Sequence, residues 1–113
     1  MSLGPQEAAK KVLIAYRQLE AILKDGVGVA SGKAQAESYD RILETLNQCF
    51  SFDKEFSDSI SHLKPVGPTA RADAMRAAYQ IESDGTVLLA TAHSFIELYL
   101  APDDKKKAIG FAP

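Results

Sequence analysis

The chain is poor in the side chains that carry most protein chemistry: among 113 residues there are one cysteine, two histidines and no tryptophan. A single thiol, Cys49, cannot close an internal disulfide, which fits a reducing compartment and an expectation of cytoplasmic location. Neither sign of charge dominates. Thirteen basic and 15 acidic residues leave a formal net charge of -2, so there is no long-range positive field to hold a polyanion, and nucleic acid is not expected as a partner. No apolar run is long. The best candidate, residues 86–101, falls short of the ~20 residues of a transmembrane helix and contains His93 and Glu97. A buried bundle helix explains it better than a membrane span. Met1-Ser2-Leu3-Gly4-Pro5 lacks the basic and apolar regions of a secretory signal, and Ser2 stands where myristoylation requires glycine.

What the chain does contain is helical periodicity. Ala74, Ala78, Ile81, Gly85, Leu88, Ala92, Phe95 and Tyr99 alternate steps of four and three, which keeps them on one helical face. The stripe runs through Ser83-Asp84-Gly85, a triplet that alone reads as a turn. A loop would reset the register, so one helix is expected from about Pro68 to Leu100, with a break near Gly85 as the alternative. Ala101-Pro102 ends it, and Pro102-Asp103-Asp104 suits a short helical turn.

Two similar regions lie upstream. Pro5 and Glu7 suit a first turn and Lys24-Asp25-Gly26 a helix end. Between them Ala9, Val12, Tyr16, Leu19 and Leu23 form a stripe, widened by Leu13 and Ile22. Lys10, Arg17 and Lys24 share a face turned away from it. Glu7 with Lys11, and Glu20 with Lys24, have the spacing of supporting ion pairs, as has Glu37 with Arg41. The second region runs from about Ala34 to Leu63 on Tyr39, Ile42, Leu46, Cys49, Phe56, Ile60 and Leu63, with Leu43, Phe50 and Phe52 beside them. Asp53 falls on this stripe, which favours a kink or break, and Ser51-Phe52-Asp53 suits a helix cap. Lys64-Pro65-Val66-Gly67-Pro68 ends the region, with Gly67 and Pro68 placed as N-cap and first residue of the next helix.

The linker Gly26-Val27-Gly28-Val29-Ala30-Ser31-Gly32-Lys33 superficially suggests a phosphate loop. Aligned on Gly32-Lys33, however, Val27 stands at the first glycine and Ala34 at the required hydroxyl. The dinucleotide pattern fails at Ser31, and both motifs follow a strand whereas this segment follows a helix. A connecting loop is the expectation, with no cofactor.

Four residues are candidate metal ligands. His62 has Asp58 four residues before it, and His93 has Glu97 four residues after; such pairs on facing helices suit a metal site. Asp58 and His62 lie two positions past Phe56 and Ile60, about 200° around the helix, and Glu97 stands likewise to Phe95. These pairs are therefore expected to point mostly outward, with no metal bound. Cys49 falls on the core stripe as a buried thiol rather than a nucleophile. Lys105-Lys106-Lys107 follows two aspartates and reads as a solvated end.

These readings converge on an all-α antiparallel helical bundle of three long helices, becoming four or five if breaks occur near Asp53 or Gly85. One domain spans 1–113, with frayed ends at 1–4 and 103–113. The helices flanking Lys64-Pro65-Val66 are faintly similar, on scattered apolar positions that any helical bundle shares, to the N-terminal coiled region of vesicle-tethering exocyst subunits. That similarity implies no functional residue. Without clustered acids, bases or nucleophiles, the expected function is a non-catalytic interaction or regulatory module rather than an enzyme. Its partner would be another protein or a second copy in a homodimer. The alternative is a small-ligand- or metal-binding bundle using His62, His93 and nearby carboxylates.

Overall fold

The computed structural model describes residues 4–25, 32–67 and 74–100. It is an all-α bundle of four helices: α1 (Pro5–Asp25), α2 (Gly32–Phe50), α3 (Lys54–Ile60) and α4 (Ala74–Tyr99). The proposed helical turn at 102–104, the lysine run at 105–107, the frayed C-terminus and the six residues after Gly67 lie outside the described residues.

Helix directions follow from side-chain pairings. Tyr16 of α1 meets His93 of α4, with ring centroids 6.0 Å apart, whereas Leu19 and Leu23 lie against Gly85. Rising numbers in α1 thus meet falling numbers in α4, and the two are antiparallel. Phe50 of α2 stacks on Phe95 of α4, and Tyr39 feels the charge of Asp84, so α2 and α4 run parallel. The segment from α3 to Gly67 returns between them: Phe56 touches Phe95 and Tyr99, and the Lys64 carbonyl accepts from Gln80 Nε2 at 3.0 Å. The chain therefore goes up, down, up and down. The third pass is a short helix followed by an extended segment in place of a full helix. Among the described residues, α1 and α3 do not touch, because α2 and α4 meet between them.

The expected stripes form the core. Val12, Leu19, Tyr39, Leu46, Cys49, Ile60, Ile81, Leu88, Ala92 and Phe95 are buried. Sequence periodicity understated the width of two faces, since Ala8 and Ala15 of α1 and Ala77 and Ile96 of α4 are buried as well. Small side chains here let the helix backbones approach, although alanine contributes little to an apolar pattern.

The second helical region does break at Asp53. Asp53 has extended backbone dihedrals (φ -117°, ψ 104°), and its carboxylate accepts from the Glu55 and Phe56 amides as the N-cap of α3. It also accepts the Tyr99 hydroxyl, joining the end of α4 to the start of α3. Around this link lie Phe50, Phe52, Phe56, Phe95 and Tyr99. The Phe50–Phe95 and Phe95–Tyr99 centroids are each 4.7 Å apart, and Phe52 meets Tyr99 edge-on at 5.2 Å. Such contacts contribute about 0.5–1.5 kcal/mol per pair beyond area burial.

The far end of the return segment is held by Asp40 of α2. Its two carboxylate oxygens accept from the Val66 amide at 2.7 Å and the Gly67 amide at 2.9 Å. Gly67 has φ +79°, a left-handed conformation that glycine adopts without strain. The expected helix start at Pro68, with Gly67 as its N-cap, lies outside the described residues, which resume at Ala74 in α4. Among the described residues, one buried side-chain polar atom is unsatisfied: the fully buried Tyr39 hydroxyl has no hydrogen-bond partner there. Burial, and then the charges of Asp84 and Asp40, push its ionisation well above the ordinary tyrosine value.

α4 is continuous through Gly85, as the unbroken stripe implies. A Cβ on Gly85 would sit 3.2 Å from Leu23 Cδ2 and 3.5 Å from Leu19 Cδ1, so the glycine marks close approach of α1 to α4. Alanine gains about 1 kcal/mol in helix propensity, offset by displacing the tip of the partly buried Leu23. Gly85→Ala is expected to change the unfolding free energy by less than about 1 kcal/mol, and Gly85→Leu to lower it by roughly 1–3 kcal/mol through overpacking. Denaturant titration checks both; a large loss in Gly85→Ala would contradict this packing.

The Asp53 carboxyl is held below its ordinary pKa of 3.8, first by the Tyr99 hydroxyl and then by the two capping amides. A depressed folded-state pKa gives a contribution that is complete above the unfolded value and lost as pH falls through the folded one. Acid titration of stability should therefore show a loss below pH 3.8 that is smaller in Asp53→Asn, which keeps a capping oxygen but cannot titrate.

Candidate functional site

The sequence-nominated ligands do not assemble. Asp58 and His62 are exposed at and beyond the end of α3. Asp58 pairs with Lys54 at 2.8 Å rather than with His62, an exposed pair of small energetic consequence. On α4, Glu97 is exposed and its Oε1 lies 4.0 Å from His93 Nε2. His93 is more enclosed than the outward reading implied: it is half-buried in the α1/α4 seam against the Tyr16 ring. Among the described residues, no three His, Cys, Asp or Glu side chains converge as a metal would require. No described helix is long and apolar enough to cross a membrane, and residues 86–99 lie inside α4. Of the glycine-rich linker, residues 26–31 lie outside the described residues, while Gly32 and Lys33 belong to α2.

Among the described residues, a groove of about 730 Å³ opens between α1 and α2. α1 contributes Lys11, Ile14, Ala15, Gln18, Ala21 and Ile22, and α2 contributes Ser38, Arg41, Ile42, Thr45, Gln48 and Cys49. The local sequence explains its shape. Ala15 and Ala21 leave space where larger side chains would close the helices over one another. The floor is apolar, through buried Ala15, Ile42 and Cys49 and half-buried Ile22. Ile14 stands on the rim, 60% exposed. Polar side chains along both walls supply hydrogen-bonding groups without filling the space.

The charge in this groove has one sign. Lys11 and Arg41 line it, and no carboxylate does. Spacing suggested that Glu7 and Glu37 would pair with these cations. Among the described residues, however, neither Lys11 nor Arg41 closes an ion pair. Periodicity could not reveal the groove because it combines the flanks of two stripes from different helices. Ile14, sitting two positions past Val12, was the available clue.

Cys49 reports on the groove floor. Its side chain is buried, and burial pushes the thiol up, with Lys11 opposing that shift. A maleimide should label Cys49 slowly in the native protein and rapidly after denaturation. Fast native labelling would show that the α1/α2 floor is open to solvent. No family model, curated protein or solved structure matches the chain.

Proposed function

We propose that the chain is a non-catalytic helical interaction or regulatory module that works through protein–protein contacts, including self-association. The observation that carries this reading is the set of large apolar side chains exposed on helix surfaces. On α4, Met75 and Tyr79 are 58% and 68% exposed one turn apart, Leu98 is 64% exposed near the other end, and on α1 Ile14 borders the groove. Apolar side chains in adjacent helical turns form a continuous strip that gains by desolvation against another protein. The polar residues, in contrast, are dispersed as caps, surface pairs and tethers of the return segment.

Length differences between the helices support self-association. α4 has 26 residues against 21 in α1, and the Met75–Tyr79 strip lies at its N-terminal end, beyond Leu23 opposite Gly85. A second copy would cover this strip. Sedimentation velocity and native mass spectrometry should show a dimer at micromolar concentration that Tyr79→Glu converts to monomer. A strict monomer at high micromolar concentration would remove self-association from the reading.

A further inference from the structure

We infer that the α1/α2 groove is a docking site for an amphipathic helix with an apolar face and acidic flanks, supplied by a protein partner. This rests on the interaction-module reading and names the surface and partner chemistry. Three observations converge.

First, the dimensions fit. From Lys11 to Ile22 and from Ser38 to Cys49 each wall covers 11 residue steps, about 16 Å or three helical turns. Second, the floor provides apolar burial while Ile14, 60% exposed, remains available to pack against an incoming side chain. Desolvation is the main driving force for a helix in such a groove. Third, charge selects the flanks. Lys11 and Arg41 line opposite walls without an ion pair among the described residues, and the lining carries no carboxylate.

The two cations also set a register. Lys11 lies near Cys49 at one end, where its charge acts on the thiol. Arg41 precedes Cys49 by eight residues, about 12 Å along α2. An incoming helix meets both cations with carboxylates about nine residues apart, a spacing that advances about 13 Å and turns half-way round the helix, placing one on each flank. A basic flank would meet like charge at both points. The outer face of this chain's own α4 fits less well as an occupant. A groove-to-α4 contact joins two different surfaces, and such head-to-tail contacts need a special rotation to close.

The test uses a stapled 14-residue helix with a leucine stripe and glutamates nine residues apart on its two flanks, beside an otherwise identical lysine peptide. Stapling limits the ordering cost that otherwise weakens short helices. Fluorescence anisotropy at low and high salt is read with amide chemical-shift mapping on the full chain. The expected result is saturable binding of the glutamate peptide, at least tenfold tighter than the lysine peptide and weakened by salt. Shifts should centre on Ile14, Ile22, Ile42 and Cys49. Arg41→Glu and Lys11→Glu are surface changes whose fold is checked by circular dichroism. Each should weaken the glutamate peptide several-fold, and the double variant should prefer the lysine peptide.

Equal affinity for both peptides, absence of saturable binding, or shifts centred on Met75 and Tyr79 would overturn the groove assignment. So would a homodimer dissociated by the peptide, since a second copy would then occupy the groove. Binding on the α4 face leaves the interaction-module reading standing. Failure of both peptides removes the groove assignment, and a strict monomer separately removes self-association.

Discussion

The carboxylate of Asp53 accepts the Glu55 and Phe56 amides and the Tyr99 hydroxyl, and the reversal after α2 depends on that set of bonds. The apolar phase across residues 39–63 would suit one long helix. Such a helix would carry Phe56 and Ile60 away from α4. Capping at Asp53 instead stops α2 at Phe50 and redirects the chain, so that Phe56 packs edge-on to Phe95 at 5.1 Å. The hydroxyl of Tyr99 then links the last turn of α4 to the cap. Polar capping and aromatic packing therefore favour the same turn, the agreement between local and tertiary preferences expected of a foldable sequence.

The return segment creates a second problem, because extended backbone inside a helical bundle leaves amides without intrahelical partners. Asp40 resolves it for Val66 and Gly67, and Gln80 supplies a donor to the Lys64 carbonyl. With these tethers the thin third pass lies between α2 and α4, and those two parallel helices meet behind it. α1 is thereby placed on the opposite side, packed by Leu19 and Leu23 against the bare backbone at Gly85. The α1/α2 groove lies on the side of α2 opposite the third pass, and its Gln48–Cys49 end adjoins Phe50 of the aromatic cluster.

Much of the fold was legible because the information is local. Phase on both sides of Gly85 favoured one helix where composition suggested a turn, and an aspartate on an apolar stripe marked residue 53 as a place for a kink or break, which the structure makes a break between α2 and α3. The tethers were not legible. Asp40 acts on amides 26 and 27 residues away, and within its own helix it resembles any polar surface position. The site was less legible still. His62, Asp58, His93 and Glu97 attracted attention through residue type and spacing. The groove instead depends on which flank of α1 faces which flank of α2, an inter-helix register that no single window of sequence contains.

The same register makes the charge pattern informative. An isolated lysine or arginine on a helix is well solvated, and its pairing with a carboxylate at exposed positions contributes little. Lys11 and Arg41 stand beside an apolar floor, where a docked helix would exclude water and strengthen whatever electrostatic preference is present. Desolvation alone would accept many apolar helices, so it provides affinity with little selectivity. Two cations without an ion pair among the described residues, separated along the groove and placed on opposite walls, restrict both the charge and the register of what can dock.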